Sequence, residues 1–496
     1  FSTGAAQCSL RSSARAAQRG APAAGARRRA SECNQRDRAS AAESIEPNER
    51  IQHIKRAGSR HICTCRNFTT ISSSALINHR PDASMNPASV MKLITTYAAL
   101  DLLGSDFTWK NRVYVDGTVS EGVLTGNLIL RGSGDPKLVL ERMEDLFKQV
   151  QAKGVREVRG DILLDRSVFD VPDKSAAEFD DEPLRPYNAS PDGLLINFKS
   201  LIFSFLPDAA NKRVLIKSEP PIARVNIATE VPASYGACGD WRSALQADFS
   251  NAERVGWSGR FPISCGERIW PVAYVAPRQY AARVVEAMWL GSGGKLAGKV
   301  REAATPNAAK LLVSADSLPL SNITSDINKF SNNVMAQQLF LTLSNQLPSP
   351  GRVGSFAASQ RQIAAWWKKN LGNTAAPVLD NGSGLSRNER ASAAALTRLL
   401  HHADASPQAA VFTQSLGIAG VDGTVARMRD RSPNSPAIGN AQLKTGTLRD
   451  VSAIAGYATA ANGQRWSIVA IINHPNAPAA RPALDSLVEW VVRTKP

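Results

Sequence analysis

The sequence predicts a mixed α/β protein of the α+β kind, and three observations carry that expectation. Pro87 and Ala88 precede a run with Val90, Met91, Leu93, Ile94, Tyr97, Ala98, Leu100 and Leu102, a proline near a helix start followed by about four turns apolar on nearly all sides. Near the C-terminus, the segments 441–448, 451–459 and 465–473 are strand-like, and Asn462-Gly463 between the last two is a strong hairpin signal. The final segment, 483–493, is amphipathic, with Leu484, Leu487, Val488 and Val491 on one face that fits packing on a sheet.

The elements follow in order. Residues 1–70 hold few large apolar side chains, and Ala, Arg and Ser dominate, so disorder is expected there; the composition superficially resembles an organelle transit peptide. From about Ser73 the sequence turns apolar, and the Ser89 helix follows. Residues 107–170 read as strands with a helix around 137–152 and a turn at Gly132–Pro136. An acidic loop, 177–186, leads to further short strands through about 232, then a helix over 278–290. Beyond 318, one helix carrying Ile327, Phe330, Val334, Leu339 and Phe340 is expected to bear Ser331-Asn332-Asn333 near its start. The loop Leu379–Arg387 then precedes a helix over 392–403.

Composition bounds the function. At 496 residues, 43% hydrophobic and 21% charged, the chain has room for two to four domains. No apolar run approaches the length of a membrane-spanning helix, so membrane association is peripheral at most. The net charge of +16 is unevenly placed: residues 1–70 carry 13 Lys or Arg against five Asp or Glu. The remainder has no basic stripe interleaved with aromatics, which argues against nucleic acid and leaves an acidic polymer such as cell-wall material as a partner. The six histidines form no ligand cluster, and Cys63 and Cys65 are too close for a CxxC motif, so no metal is expected. Cys238 and Cys265 are either one disulfide of an exported protein or two unlinked thiols.

Ser89 and Lys92 are three residues apart on a helix and therefore share a face, so hydroxyl and amine meet without tertiary help. Ser292 and Lys295 match the same pattern, but two glycines between them make that a loop. The nearby Gly293-x4-Gly298-Lys299 approaches a phosphate-binding loop, yet Val300 stands where a hydroxyl must hold Mg²⁺. What distinguishes Ser89 is its company. Ser331-x-Asn333 follows on a helix, and Lys444-Thr445-Gly446 on a strand before the C-terminal hairpin, an order found in penicillin-recognising serine enzymes. A serine hydroxyl becomes a nucleophile when a neutral lysine takes its proton, and burial or a second ammonium, here Lys444, pushes Lys92 that way. Ser331 can relay a proton to the leaving amine, Asn333 can hold the substrate amide, and Lys444 with Thr445 can bind a terminal carboxylate. The backbone N–H groups of Ser89 and Thr447 are the natural oxyanion hole. The span from Ser89 to Ser331 is far longer than a compact β-lactamase needs, so one or more domains are inserted there.

With these motifs go Gly126–Pro136 (Gly-Asn-Leu-Ile-Leu-Arg-Gly-Ser-Gly-Asp-Pro), Asp380–Arg387 (Asp-Asn-Gly-Ser-Gly-Leu-Ser-Arg), Gly420–Thr424 (Gly-Val-Asp-Gly-Thr) and Lys444–Leu448 (Lys-Thr-Gly-Thr-Leu). Over roughly 76–496 the chain resembles the class C low-molecular-mass penicillin-binding proteins, the D-alanyl-D-alanine carboxypeptidase/endopeptidases. The resemblance implies a serine β-lactamase/transpeptidase-like domain, 71–105 plus 312–496, with an antiparallel five-stranded sheet, interrupted over 106–311 by two domains, one nested in the other. It implies a periplasmic serine DD-peptidase acting on peptidoglycan stem peptides through a Ser89 acyl-enzyme, with β-lactams as covalent inhibitors and no cofactor. A β-lactamase or esterase on the same scaffold, or a non-catalytic cell-wall-binding protein, are the alternatives. The family's pocket for a diaminopimelate side chain implies Asp181 for the amine and Arg387 for the carboxylate. The family also places an apolar strand before the serine helix. Residues 61–70 make a poor buried strand, so either a shifted reading frame upstream of about residue 75, which would cost the chain one sheet strand and its export signal, or a divergent N-terminus is expected.

Overall fold

The computed structural model describes residues 61–67 by their backbone and residues 75–348, 350–372 and 376–494 in full. The expectation of disorder over residues 1–60 and 68–70 falls outside the described residues.

An antiparallel sheet organises the part of the chain that carries the serine and lysine motifs. Its strands are β1 (His61–Asn67), β2 (Ile77–His79), β3 (Gly417–Ile418), β4 (Ala441–Leu448), β5 (Val451–Thr459) and β6 (Arg465–Asn473), in the order β2-β1-β6-β5-β4-β3. Five strands are expected from the sequence and six are present, the two edges being short. The strand expected to be missing forms: β1 pairs with β6 from His61↔Ile472 to Asn67↔Trp466 and with β2 on its other side. The reason lies in β6, whose backbone N–H and C=O groups would otherwise be left unpaired beside a buried core. Ile62 and Thr64 are β-branched and suit a strand whatever the pattern around them.

The sheet is buried on both faces. Val451, Ala453, Ala455, Tyr457, Val469 and Ile471 belong to one core with helices α1 (Lys92–Leu103), α2 (Leu320–Phe330), α3 (Asn333–Gln346), α4 (Phe356–Leu371) and α5 (Ala393–Asp404). Ile454, Ala458, Ile468, Ala470 and Ile472 face the other way and pack on Leu484, Leu487, Val488 and Val491 of the last helix, α6 (Arg481–Arg493). The alternation of side chains along a strand thus explains the unbroken apolar run of β6. Every residue of α1 from Lys92 to Leu100 is buried, as an all-round apolar helix requires.

Between Ser105 and Ser317 the chain builds other sheets. A five-stranded one runs 300–302, 162–165, 128–131, 110–115, 310–316, and the chain leaves it after Asp165 and returns at Val300. In the interval, strands 261–262, 230–234, 213–219, 200–208 and 268–273 form a second sheet beside a three-stranded one. Phe203, Phe205, Trp241, Phe249, Trp257, Phe261 and Trp270 interlock edge-to-face or stacked there, and Cys238 is disulfide-bonded to Cys265, Cα atoms 4.7 Å apart. The glycines after the helix Pro277–Gly291 serve packing: a Cβ on Gly294 would lie 2.3 Å from the Trp289 ring. Among the described residues no helix is long and apolar enough to cross a membrane, and no cluster of metal-ligating side chains occurs.

Buried polar contacts dock the inserted sheets on α3. Gln338 Nε2 donates to the carbonyls of Asp192 (2.9 Å) and Gly134 (3.2 Å), and its Oε1 accepts from the Asp192 N–H at 2.8 Å. Asn333 Nδ2 donates to the Tyr187 carbonyl at 3.2 Å. These bonds tie the inserted region to the helix that follows Ser331.

Candidate active site

Ser89 lies in a 3₁₀ turn, Ala88–Met91, that feeds directly into α1. Ala88 has φ +47°, a strained value for a residue with a Cβ, held by its surroundings. Its N–H donates to Asn86 Oδ1 at 2.8 Å, Asn86 Nδ2 donates to the Ser386 carbonyl at 2.8 Å, and Asn86 and Asn473 exchange two further bonds of 2.8 Å. The entry to the serine turn is thereby tied to the end of β6. Gly446 of β4 completes the seat: a Cβ there would lie 2.4 Å from the Pro87 carbonyl oxygen and 3.2 Å from the Ser89 nitrogen, so only glycine lets strand and turn approach.

Lys92 is fully buried beneath Ser89. Its Nζ lies 3.1 Å from Ser89 Oγ, 2.6 Å from Asn333 Oδ1 and 2.5 Å from the Ser383 carbonyl oxygen. Burial lowers its pKa to about 7, with the carboxyl of Glu389 acting in the opposite sense. Half the lysines are then neutral near pH 7, the state a proton acceptor needs. Lys444, also fully buried, donates to Ser331 Oγ at 2.8 Å and to the Thr445 carbonyl at 2.8 Å. Its pKa falls well below the usual lysine value through burial first, then through the positive charges of Lys92 and Arg481. Desolvation is the leading cause for both lysines, and the repulsion between them, being mutual, opposes both carrying a charge at once.

Ser331, Asn332 and Asn333 do not sit on one helix as the sequence suggests. Ser331 is the left-handed cap that ends α2, φ +58°, and Asn332 caps the start of α3 by accepting the Met335 N–H at 3.1 Å. The break turns the Ser331 hydroxyl toward Lys444 and the Asn333 amide toward Lys92. It also leaves Phe330, expected among the apolar positions of one continuous helix, 66% exposed. Asn333 is partly committed within the protein, to Lys92 through Oδ1 and to Tyr187 through Nδ2, which leaves one lone pair and one N–H for a substrate.

Ser89, Lys92, Ser331, Asn333, Lys444 and Gly446 therefore converge. Thr445 Oγ1 lies 2.8 Å from Thr424 Oγ1, which brings in the Gly420–Thr424 loop, and Thr447 Oγ1 accepts from Arg481 at 2.7 Å. β3 pairs only with Gln442 and Leu443, so among the described residues no strand covers the edge of β4 at Thr445–Thr447. Arg387 is half-exposed, bonded to Asp450 at 2.8 Å, with its guanidinium 4.9 Å above the Phe179 ring. That contact brings the acidic loop of the inserted region to the Arg387 loop. Asp181 is exposed on it, with no side-chain partner among the described residues, whereas Asp180 accepts from Tyr187 Oη (2.8 Å) and Asn188 Nδ2 (2.7 Å). Cys238 and the 3₁₀-turn residue Cys265 lie between Asp165 and Val300 and take no part in this cluster.

The family whose model matches residues 64–494 is described as D-Ala-D-Ala carboxypeptidase 3 (S13). The chain belongs to this family. It is 25% identical over 399 residues to the D-alanyl-D-alanine carboxypeptidase DacB of Haemophilus influenzae, covering 78% of this chain and 80% of that protein. It is 28% identical over 420 residues to the D-alanyl-D-alanine carboxypeptidase of an Actinomadura species, covering 81% and 76%. The crystal structure of penicillin binding protein 4 from Haemophilus influenzae superposes with a TM-score of 0.73 at 22% identity, over 91% of this chain and all of that one. The transpeptidase-like fold expected of the sequence is thus the fold found.

One component of this S13-family site escapes the sequence motifs. Glu389 is fully buried, and its Oε1 accepts the N–H groups of Asp380 (3.1 Å), Asn381 (3.1 Å) and Gly382 (2.8 Å), while Oε2 has no hydrogen-bond partner among the described residues. It shapes the loop whose Ser383 carbonyl receives Lys92. Burial raises its pKa; its negative charge in turn raises that of Lys92. Glu389→Gln removes that charge, so Lys92 should lose its proton at lower pH. The acid limb of a pH profile for Ser89 acylation moves to lower pH in the variant, and a superimposable profile would show that Glu389 is uncharged in the folded protein.

Proposed function

We propose that this member of the S13 family is a serine DD-peptidase that cleaves peptidoglycan stem peptides as a carboxypeptidase and cross-links as an endopeptidase. The observation that carries this reading is the Ser89 hydroxyl held 3.1 Å from a buried lysine whose pKa is lowered to about 7. Lys92, as the neutral amine, takes the Ser89 proton as Oγ attacks the carbonyl carbon of the scissile amide. The backbone N–H groups of Ser89 and Thr447 receive the oxyanion. Ser331, bonded to Lys444, relays the proton held by Lys92 to the leaving amine, which departs as the C–N bond breaks and leaves a Ser89 ester and a neutral Lys92. Water then hydrolyses the ester, its proton taken by the same lysine and the serine proton restored. A β-lactam follows the first half of this course and leaves an adduct, because its leaving group stays tethered.

The same reading assigns peptidoglycan peptides as partners, places the protein in the periplasm, where the Cys238–Cys265 disulfide would be stable, and gives Arg387 and Asp181 the two ends of a zwitterionic side chain. The inserted strands between Ser105 and Ser317 would be two domains, one nested in the other.

Labelled penicillin followed by peptide mapping tests the chemistry. One adduct on Ser89 is expected, absent from Ser89→Ala. A label on another residue, or none on folded protein, would remove the mechanism and favour a wall-binding role. An adduct hydrolysed within seconds would make the protein a β-lactamase.

A further inference from the structure

Arg481 opens α6, the final helix, and its guanidinium reaches the active-site strand: Nη2 donates to Thr447 Oγ1 at 2.7 Å. Its position is electrostatically unfavourable on local grounds, since a cation in the first turn of a helix opposes the helix dipole. A carboxylate of the same helix offsets its charge through space but is not bonded to it. Asp485, one turn further along, is taken by Arg431 at 2.5 and 3.1 Å. The Arg481 Nη1 atom is buried and has no acceptor among the described residues. Its charge is felt by Lys444, which is fully buried and itself bonded to Ser331. The end of β4 is thus flanked by Arg481 and the buried Lys444, and among the described residues no carboxylate is bonded to either.

The hydrogen-bond direction adds chemistry to charge. A guanidinium only donates, so the Thr447 oxygen is the acceptor and its own O–H proton is free for another partner. Thr447 is exposed on the uncovered edge of β4, two residues along from Thr445 on the same side of the strand. A group that accepts a hydroxyl hydrogen bond and carries negative charge fits there: a carboxylate.

We propose that Arg481 is a positioning residue for the carboxylate of the departing D-amino acid, fixing Thr447 as a donor and supplying the long-range charge that selects a substrate with a free carboxylate. This rests on the acyl-transfer reading above. It gives Arg481, a residue outside every sequence motif, a part in substrate choice.

The test compares two acyl-D-alanyl thioesters, one whose leaving group ends in a free carboxylate and one in which that carboxylate is a methyl ester. Wild type and the variants Arg481→Gln and Arg481→Lys are assayed on both. Arg481→Gln is expected to raise KM for the carboxylate substrate about tenfold to a hundredfold, the range for losing a charge-assisted bond, with kcat changed less than threefold and the ester unaffected. Arg481→Lys, which keeps the charge, is expected to recover part of the discrimination. Equal losses on both substrates would reduce Arg481 to a structural role and overturn the proposal, as would no loss on either. If wild type turns over neither substrate and takes no penicillin label, the acyl-transfer reading itself falls, and the role of Arg481 with it.

Discussion

Lys92→Met is expected to lower the rate of Ser89 acylation by penicillin about 10²–10⁴-fold, the usual contribution of a positioned proton acceptor. Methionine nearly matches the lysine stem in volume, so the change deletes the amine that sits 3.1 Å from Ser89 Oγ while filling the space. In wild type the acylation rate should climb through pH 7 as the ammonium, lowered to about 7, loses its proton, and the residual rate of the variant should lack that rise. A second readout follows from linkage. The folded pKa lies below that of an unfolded lysine, so between about pH 7 and pH 10 the unfolded chain binds more protons, and raising the pH stabilises the fold. Denaturant titrations across that range should show wild type gaining stability relative to Lys92→Met as pH rises. A variant acylated at the wild-type rate would transfer the role of base to another group.

Gly384→Ala should damage both fold and activity. Gly384 has φ +80°, and a Cβ there would stand 2.1 Å from the Ala88 carbonyl oxygen and 2.7 Å from the Ser89 nitrogen. Both neighbours are backbone, and Ala88 is itself in a left-handed conformation, so no side-chain rotation relieves the contact. A loss of about 2–4 kcal/mol is expected, read from urea midpoints, together with at least a hundredfold slower penicillin labelling. The slowing arises because the serine turn, which is also packed against Gly446 of β4, must shift and so change the spacing between the Ser89 and Thr447 amides. A variant within about 0.5 kcal/mol of wild type that labels normally would show that the loop and the serine turn are not held as tightly as these contacts imply.

Much of the fold was legible because it rests on local periodicity. The α1 helix, buried all round, follows from its continuous apolar sequence, and β4, β5 and β6 begin and end where their residue pattern changes. Two elements were misjudged for tertiary reasons. The strand β1 does not look like a core strand, yet it forms because the edge of β6 requires a partner, a demand recorded in another part of the chain. The helix expected through Ser331 is two helices. The break depends on a left-handed Ser331, a conformation stabilised by its contact with Lys444 rather than announced by a glycine.

The site divides along the same line. Ser89 and Lys92 are adjacent by helix geometry alone, so spacing determines that pair. Ser331 and Lys444 are recognisable as types and placed correctly by order along the chain. Glu389, Asn86, Asn473 and Arg481 belong to no motif. Glu389 matters because three backbone amides and a buried lysine surround it, Asn86 because Asn473 lies opposite, and Arg481 because the last helix returns its first residue to the end of β4. The sequence by itself determined the adjacent Ser89–Lys92 pair, the helix that carries Lys92 and the strands β4, β5 and β6, through interactions that span a few residues. Only the tertiary structure decided which charges are desolvated and which donors are left unpaired, because burial and pairing depend on residues hundreds of positions apart.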